Sequence, residues 1–229
     1  MVRIGIENGT EGRSQAWVLG HPGCFAYGVD GPAALAAVPA AIQEYQDWIA
    51  AHTSESWLGG SETDYQLEET WECYTINSDY ELSQEGYEVN AWFRHDWKPL
   101  SADDIQRGLL LLNWGREELL KTIRNLDAET LQRTYPNERW NIAGILKHIG
   151  GAEWWYLDRL ELAFPRQEVP EDPLQRLEKV RQKLVDILPN LVGSTQVYGI
   201  SGEFWSPRKL LRRAVWHEYD HITHIRKLL

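Results

Sequence analysis

The sequence predicts a small α+β domain, a sheet with one helix, followed by an all-α four-helix bundle. The first observation is a mixture of signals in the first hundred positions, short strand-like stretches and one alanine-rich helix separated by turn residues. The second is apolar spacing at the helical period from Ser101 onward. The third is charge. Residues 1–99 carry four basic residues (Arg3, Arg13, Arg94, Lys98) against sixteen acidic ones, whereas residues 100–229 carry 19 basic and 18 acidic. Such an asymmetry marks two modules, with the boundary at Lys98-Pro99: residues 1–98 and residues 99–229.

In the first module Val2 to Glu7 alternates like a strand, and Gln15 to Leu19 is a second candidate. After the turn His21-Pro22-Gly23, Cys24 to Val29 reads as a third, with Phe25 and Tyr27 on one face. Asp30-Gly31-Pro32 opens an alanine-rich helix to about Ala51, where Pro39 implies a kink or a late start. Residues 53–64 are loop by composition, and Tyr65 to Ile76 and Glu88 to Asp96 read as two more strands.

In the second module Ser101-Ala102-Asp103-Asp104 resembles a capping box. Ile105, Leu109, Leu112, Leu119, Ile123 and Leu126 then continue at helical spacing. A second helix is expected from Asn141 to Phe164, stopped by Pro165, and a third from Pro173 to Leu188. Gly193 to Trp205 reads as a linker containing Gly199 and Gly202. Ser206-Pro207 starts the last helix, which no Gly or Pro interrupts before Leu229. Four helices with apolar stripes form a bundle, and the longer connections at 127–140 and 193–205 suit helices that cross.

A hydrophobic fraction of 43% with twelve tryptophans suffices for a core. No run of about 18 apolar residues is present, so no membrane span is expected. The N-terminal residues lack the apolar run of a signal peptide. Cys24 and Cys73 are too few for a disulfide scaffold. These features set a reducing cytoplasm as the expected location. The acidic first module argues against nucleic acid as a partner, since phosphate binding needs a basic patch. Arg208, Lys209, Arg212 and Arg213 cluster in the second module, but most lie off the apolar stripe and are expected to form a solvated face.

The last helix carries the candidate chemistry. At roughly 100° per residue, Leu210, Ala214, His217, His221, His224, Ile225 and Leu228 fall on one stripe. Histidines one turn apart have Cβ atoms about 5–6 Å apart, so both can reach one metal ion. A single buried histidine is ordinarily a core residue bonded to a carbonyl; three on one stripe point to a metal site. His148, on the second helix, is the remaining candidate, with Gly144 and Gly151 leaving space around its ring. Three protein nitrogens with open positions are the pattern of a catalytic site. The expected nitrogen–metal distances are roughly 2.0–2.2 Å, with affinity falling as pH drops through about 6–7.

The run His217-Glu218-x-x-His221 also matches the His-Glu-x-x-His signature of zinc proteases. Only eight residues follow His221, which leaves no room for the usual downstream ligand helix. Glu218 lies about 100° around the helix from His217. It is either a partner for an imidazole N–H, the one candidate for a supporting catalytic role, or a surface carboxylate. Asp220 and Glu153 are expected to be solvated or structural. Trp154, Trp155 and Trp205 serve the core or line a pocket. His224, one turn further along the stripe, is a candidate fourth ligand or supporting group, expected to sit nearer the end of the bundle.

Two resemblances add to this reading. His21-Pro22-Gly23-Cys24-Phe25-Ala26-Tyr27-Gly28, followed by a helix with Ala33, Ala34, Leu35 and Ala41-Ile42, resembles the HicB family over residues 1–52. That family has a small α/β fold of the partial double-stranded-RNA-binding type; the expected role here is packing or dimerisation rather than antitoxin action. The second covers about residues 101–229. Trp205-Ser206-Pro207-Arg208-Lys209, Arg212-Arg213-Ala214-Val215-Trp216-His217-Glu218-x-Asp220-His221, and His148 followed by Glu153-Trp154 resemble the DinB-like (YfiT-like) superfamily. This resemblance implies a four-helix bundle that binds a divalent metal, zinc or nickel, through His148, His217 and His221. It also implies an S-transferase or isomerase using a low-molecular-weight thiol, or a hydrolase, acting on a small-molecule substrate. The alternatives are a non-catalytic metalloprotein and a HicB-like regulatory binding protein.

Overall fold

Hydrophobic alternation in β1 (Val2–Thr10) buries Ile4 and Ile6, and the tight turn at Glu11-Gly12 sends the chain back as β2 (Arg13–Val18). The structure, a computed structural model, describes residues 1–58 and 64–229. β3 (Phe25–Gly28) follows the His21-Pro22-Gly23 turn, and β4 (Tyr65–Glu72) joins β1 in parallel. The resulting sheet has the order β3-β2-β1-β4. Between β3 and β4 the expected single helix divides in two, α1 (Gly31–Ala36) and α2 (Val38–Ala50), with Ala37 between them. Pro39 stands in the first turn of α2, where a missing N–H costs nothing. Of the loop expected at 53–64, residues 59–63 lie outside the described residues.

The strand expected over Tyr65–Ile76 also divides. Cys73 gives its N–H to Asn8 O at 2.8 Å, and β5 (Tyr74–Ile76) then pairs with β6 (Tyr87–Val89) in a separate two-stranded sheet. Beyond Val89 the strand expected to reach Asp96 ends. The Asp96 carboxylate accepts the Phe93 N–H at 3.0 Å and winds Arg94–Trp97 into a 3₁₀ turn. One buried carboxylate ties these pieces together: Glu7 accepts from Trp17 Nε1 and from the Ala91 N–H, both at 2.9 Å.

The chain forms two compact units, Met1–Lys98 with Val197–Lys209, and Pro99–Gln196 with Leu210–Leu229. The expected linker 193–205 contains a hairpin, β7 (Tyr198–Ile200) with β8 (Glu203–Trp205). Ser201 and Gly202, both at positive φ (52° and 74°), make its two-residue turn, the backbone that matches strand twist. Glu203 is buried in the first unit, bonded to Tyr87 Oη and Lys209 Nζ.

In the second unit Ser101 caps α3 (Ala102–Ile123) in a reciprocal box with Asp104. A short helix, α4 (Ala128–Gln132), precedes α5 (Ile142–Asp158), which Asn141 caps through the Gly144 N–H. α5 stops short of the expected Phe164. Glu161 takes a left-handed conformation (φ 59°), and the N–H groups of Glu161 and Leu162 return to the carbonyls of Asp158 and Leu157. α6 (Pro173–Ile187) and α7 (Pro207–Leu228) complete the long helices. Leu119 and Ile123 of α3, Ile142, Ile145 and Ile149 of α5, Leu177 of α6, and Ile222 and Ile225 of α7 share one apolar core. Among the described residues no helix is long and apolar enough to cross a membrane.

Candidate metal centre

Helical spacing places His217 and His221 on the buried face of α7, one turn apart. α5 brings His148 against them. The Nε2 atoms of His217 and His148 are 3.0 Å apart, and those of His221 and His217 are 3.2 Å apart. Four tetrahedral ligands at 2.0–2.1 Å from a common centre would be separated by about 3.3 Å. Two of the three separations therefore already stand close to the edge length of such a site, and all three ligand atoms lie within 4.8 Å of one another. Among the described residues these three form the group of ligating side chains able to hold a metal ion.

Electrostatics keep the rings ready to donate a lone pair. Burial holds the His217 imidazolium well below its usual range, assisted by His221, His148 and Arg213. His221 is pushed down to about 3 by burial, with His148 and His224 adding to the effect. Neutral imidazole is the ligating form. To offer Nε2, a ring must carry its proton on Nδ1. In His221 that nitrogen is buried and has no hydrogen-bond partner among the described residues.

Aromatic rings enclose the cluster. Trp140 stacks on His148 at a centroid distance of 4.4 Å and an interplanar angle of 25°. Gly144 makes this possible, because a Cβ there would stand 3.0 Å from Trp140 Cβ. The space expected around His148 is thus occupied by an indole. Tyr156 and Trp216 approach His217 at 6.0 and 5.7 Å. His224 points elsewhere, its Nε2 2.8 Å from Glu138.

Glu218 matches neither of its expected roles. It is buried, and its oxygens accept from Arg116 Nε at 2.6 Å and from Arg181 Nη2. Burial alone would raise its pKa, but Arg181 and Arg116 overcome that and hold it below the usual carboxylate range. Glu153 joins the same group, 2.6 Å from Arg181 Nε and 3.5 Å from Arg116. Each of α3, α5, α6 and α7 thus contributes one charge to a neutral buried quartet. Its arginines escape the sequence reading, although a signal is present. Arg116 falls between Leu112 and Leu119, and Arg181 between Leu177 and Leu184, each on an apolar stripe.

The solvated face expected for the basic cluster is also overturned. Lys209, Arg212 and Arg213 are buried. Lys209 is bonded to Glu203, and the Arg213 guanidinium lies 4.4 Å from the Trp216 ring centroid. Of the three tryptophans, Trp205 is core, with Lys209 Nζ 4.5 Å from its ring centroid. Trp154 gives its N–H to Phe164 O at 2.9 Å, and together with Trp155 it lines a cavity on α5. Asp220 is half-buried.

The sequence model of the DinB superfamily matches residues 111–225, which include all three histidines and the buried quartet. The chain belongs to the DinB superfamily. This DinB-superfamily chain is also 25% identical over 150 residues to a protein of Oceanobacillus iheyensis named a "putative metal-dependent hydrolase". That alignment covers 56% of the chain and 86% of the relative. No solved structure matches the chain.

Proposed function

We propose that His148, His217 and His221 hold one divalent metal ion and that this DinB-superfamily chain is a metal-dependent hydrolase of a small molecule. The observation that carries the reading is the convergence of three imidazoles, with Nε2 separations of 3.0 Å for His217–His148 and 3.2 Å for His221–His217. The name of the Oceanobacillus relative agrees with it. An all-imidazole donor set suits zinc and nickel alike. Such an ion would supply Lewis acidity and lower the pKa of a bound water to about 7. The protein's part is to keep the rings unprotonated and oriented, with Trp140 packed flat on His148 and the quartet holding the helix that carries His217. Because burial lowers the acidity range of His217 and His221, proton competition for the metal belongs below the pH of about 6–7 expected for free imidazole.

Thiol-dependent transfer would use the same nitrogens. The first unit is read as HicB-like on its β-β-β-α-α-β order and its Pro22-Gly23-Cys24 turn, and as a packing or dimerisation module. Elemental analysis of untagged protein tests the centre: one divalent ion per chain is expected, lost in His148→Ala and His217→Ala and retained in His224→Ala. Full metal content in either of the first two variants overturns the site. Hydrolysis of an activated ester without added thiol separates the hydrolase from the transferase, which would turn over only with a thiol present.

A further inference from the structure

The second unit contains a cavity that the histidine cluster does not use. It measures about 290 Å³ and is lined by Gly151, Trp154 and Trp155 of α5, Arg166 and Val169 of the following turn, and Glu171 and Arg176 before and within α6. That volume is at the lower end of small-molecule sites, roughly 300–1,000 Å³. Its wall is built where α5 and α6 approach closely. A Cβ at Gly150 would stand 2.8 Å from Arg176 Cγ, so the glycine lets the arginine stem lie across α5.

The lining charges are unequally committed. Arg176 gives Nε to Pro170 O at 2.7 Å and Nη1 to Lys147 O at 3.4 Å. Glu171 is held by Lys147 at 2.5 Å and lies 3.9 Å from Arg176. Arg166 is different. Among the described residues its guanidinium has a ring contact, 5.6 Å from the Trp154 centroid, and no carboxylate or carbonyl partner. Glu171 is shared between Lys147 and Arg176, so the lining stays net positive, and Arg166 is the lining arginine whose donors are unspent among the described residues. A guanidinium offers two parallel N–H groups that match a carboxylate. The half-buried Trp155 ring also lines the cavity, with Arg159 4.9 Å from its centroid.

We propose that this cavity binds a small aromatic monocarboxylate, its ring against Trp155 and its carboxylate on Arg166. Gly151 follows His148 by one helical turn, about 4.5 Å along the axis. The site is nevertheless independent of metal binding, because it shares no lining residue with the histidine cluster.

The test uses 2-naphthoate and its neutral counterpart 2-naphthylmethanol, each titrated calorimetrically into the full chain. Naphthoate should bind at least tenfold more tightly than the alcohol. Arg166→Gln, at an exposed position, should remove that preference, and Trp155→Ala should weaken both ligands. Chelator-treated His217→Ala should bind naphthoate as the parent does, whatever becomes of the metal reading. Equal binding of acid and alcohol, no binding of naphthoate by the parent, or an unchanged preference in Arg166→Gln overturns the proposal. Loss of naphthoate binding in His217→Ala also overturns it, by assigning the ligand to the metal centre. Should Trp155→Ala fail to fold, Arg166→Gln alone decides.

Discussion

His95, in the first unit, shows how one neighbour can fix the protonation of a buried ring. Arg3 Nη2 lies 3.2 Å from its Nδ1, and a guanidinium can only donate, so Nδ1 accepts and the proton sits on Nε2. Nε2 is buried without a partner among the described residues. Burial drives the His95 pKa down to about 3; Arg208 adds to this, Asp96 opposes it, and Arg3 and Lys98 contribute further. In the unfolded chain the ring titrates near 6.5. Below that pH the unfolded state binds a proton that the folded state refuses, so the stabilisation is complete above about 6.5 and is lost as pH falls toward 3. At pH 5 the loss from this residue is about 2 kcal/mol relative to pH 7. Urea midpoints of metal-stripped protein at the two pH values measure it: His95→Gln should show a smaller decline than the parent, and an identical decline would refute the assignment. Nothing in the sequence distinguished His95, because its state depends on partners up to 113 positions away.

At the scale of elements, the quartet Arg116–Glu153–Arg181–Glu218 decides how four helices meet. Burying charges is costly, and removing one partner leaves another without compensation. Arg181→Met should therefore destabilise the fold by about 3–5 kcal/mol. Arg181→Met combined with Glu218→Leu leaves Arg116 facing Glu153, still a neutral pair, and should cost less than the single change. A double-mutant cycle by urea unfolding checks this; additive effects would mean that the charges do not act as a unit. The helices themselves were legible wherever a local chemical signal existed. Ser101 with Asp104, Asn141 and Ser206-Pro207 mark starts that the structure keeps within a residue. The end of α5 was not legible. Its left-handed residue is Glu161 rather than glycine, and Pro165 offered a more conspicuous but later stop. The hairpin at 198–205 escaped because its glycines read equally well as linker. His217 and His221 were legible because i, i+4 spacing is local; His148, on α5, was legible only as the remaining candidate and through the resemblance, and the quartet's partners each lie on a different helix.

At the scale of the whole molecule, composition separated an acidic first part from a balanced second, yet the chain's units are not two consecutive stretches. The segment Val197–Lys209 belongs with residues 1–98, and α7 begins in one unit and continues in the other. Within the first unit Lys209 is fully buried, its Nζ meeting Glu203, and Ser206 Oγ donates to Asp96 O at 2.5 Å. A fragment comprising residues 99–229 would retain Glu203 and Lys209 but lose Tyr87 and Asp96, their neighbours in that interior. It should unfold at a lower urea concentration than the full chain. An unmodified fragment with the urea midpoint of the parent would contradict this. The returning hairpin also bears on inheritance. End-to-end shuffling of gene segments would part it from Tyr87, Asn90 and Asp96, to which Glu203, Lys209 and Ser206 are bonded. A junction that keeps the first unit's interior intact must therefore carry residues 197–209 along with residues 1–98, two stretches that are separate in the chain.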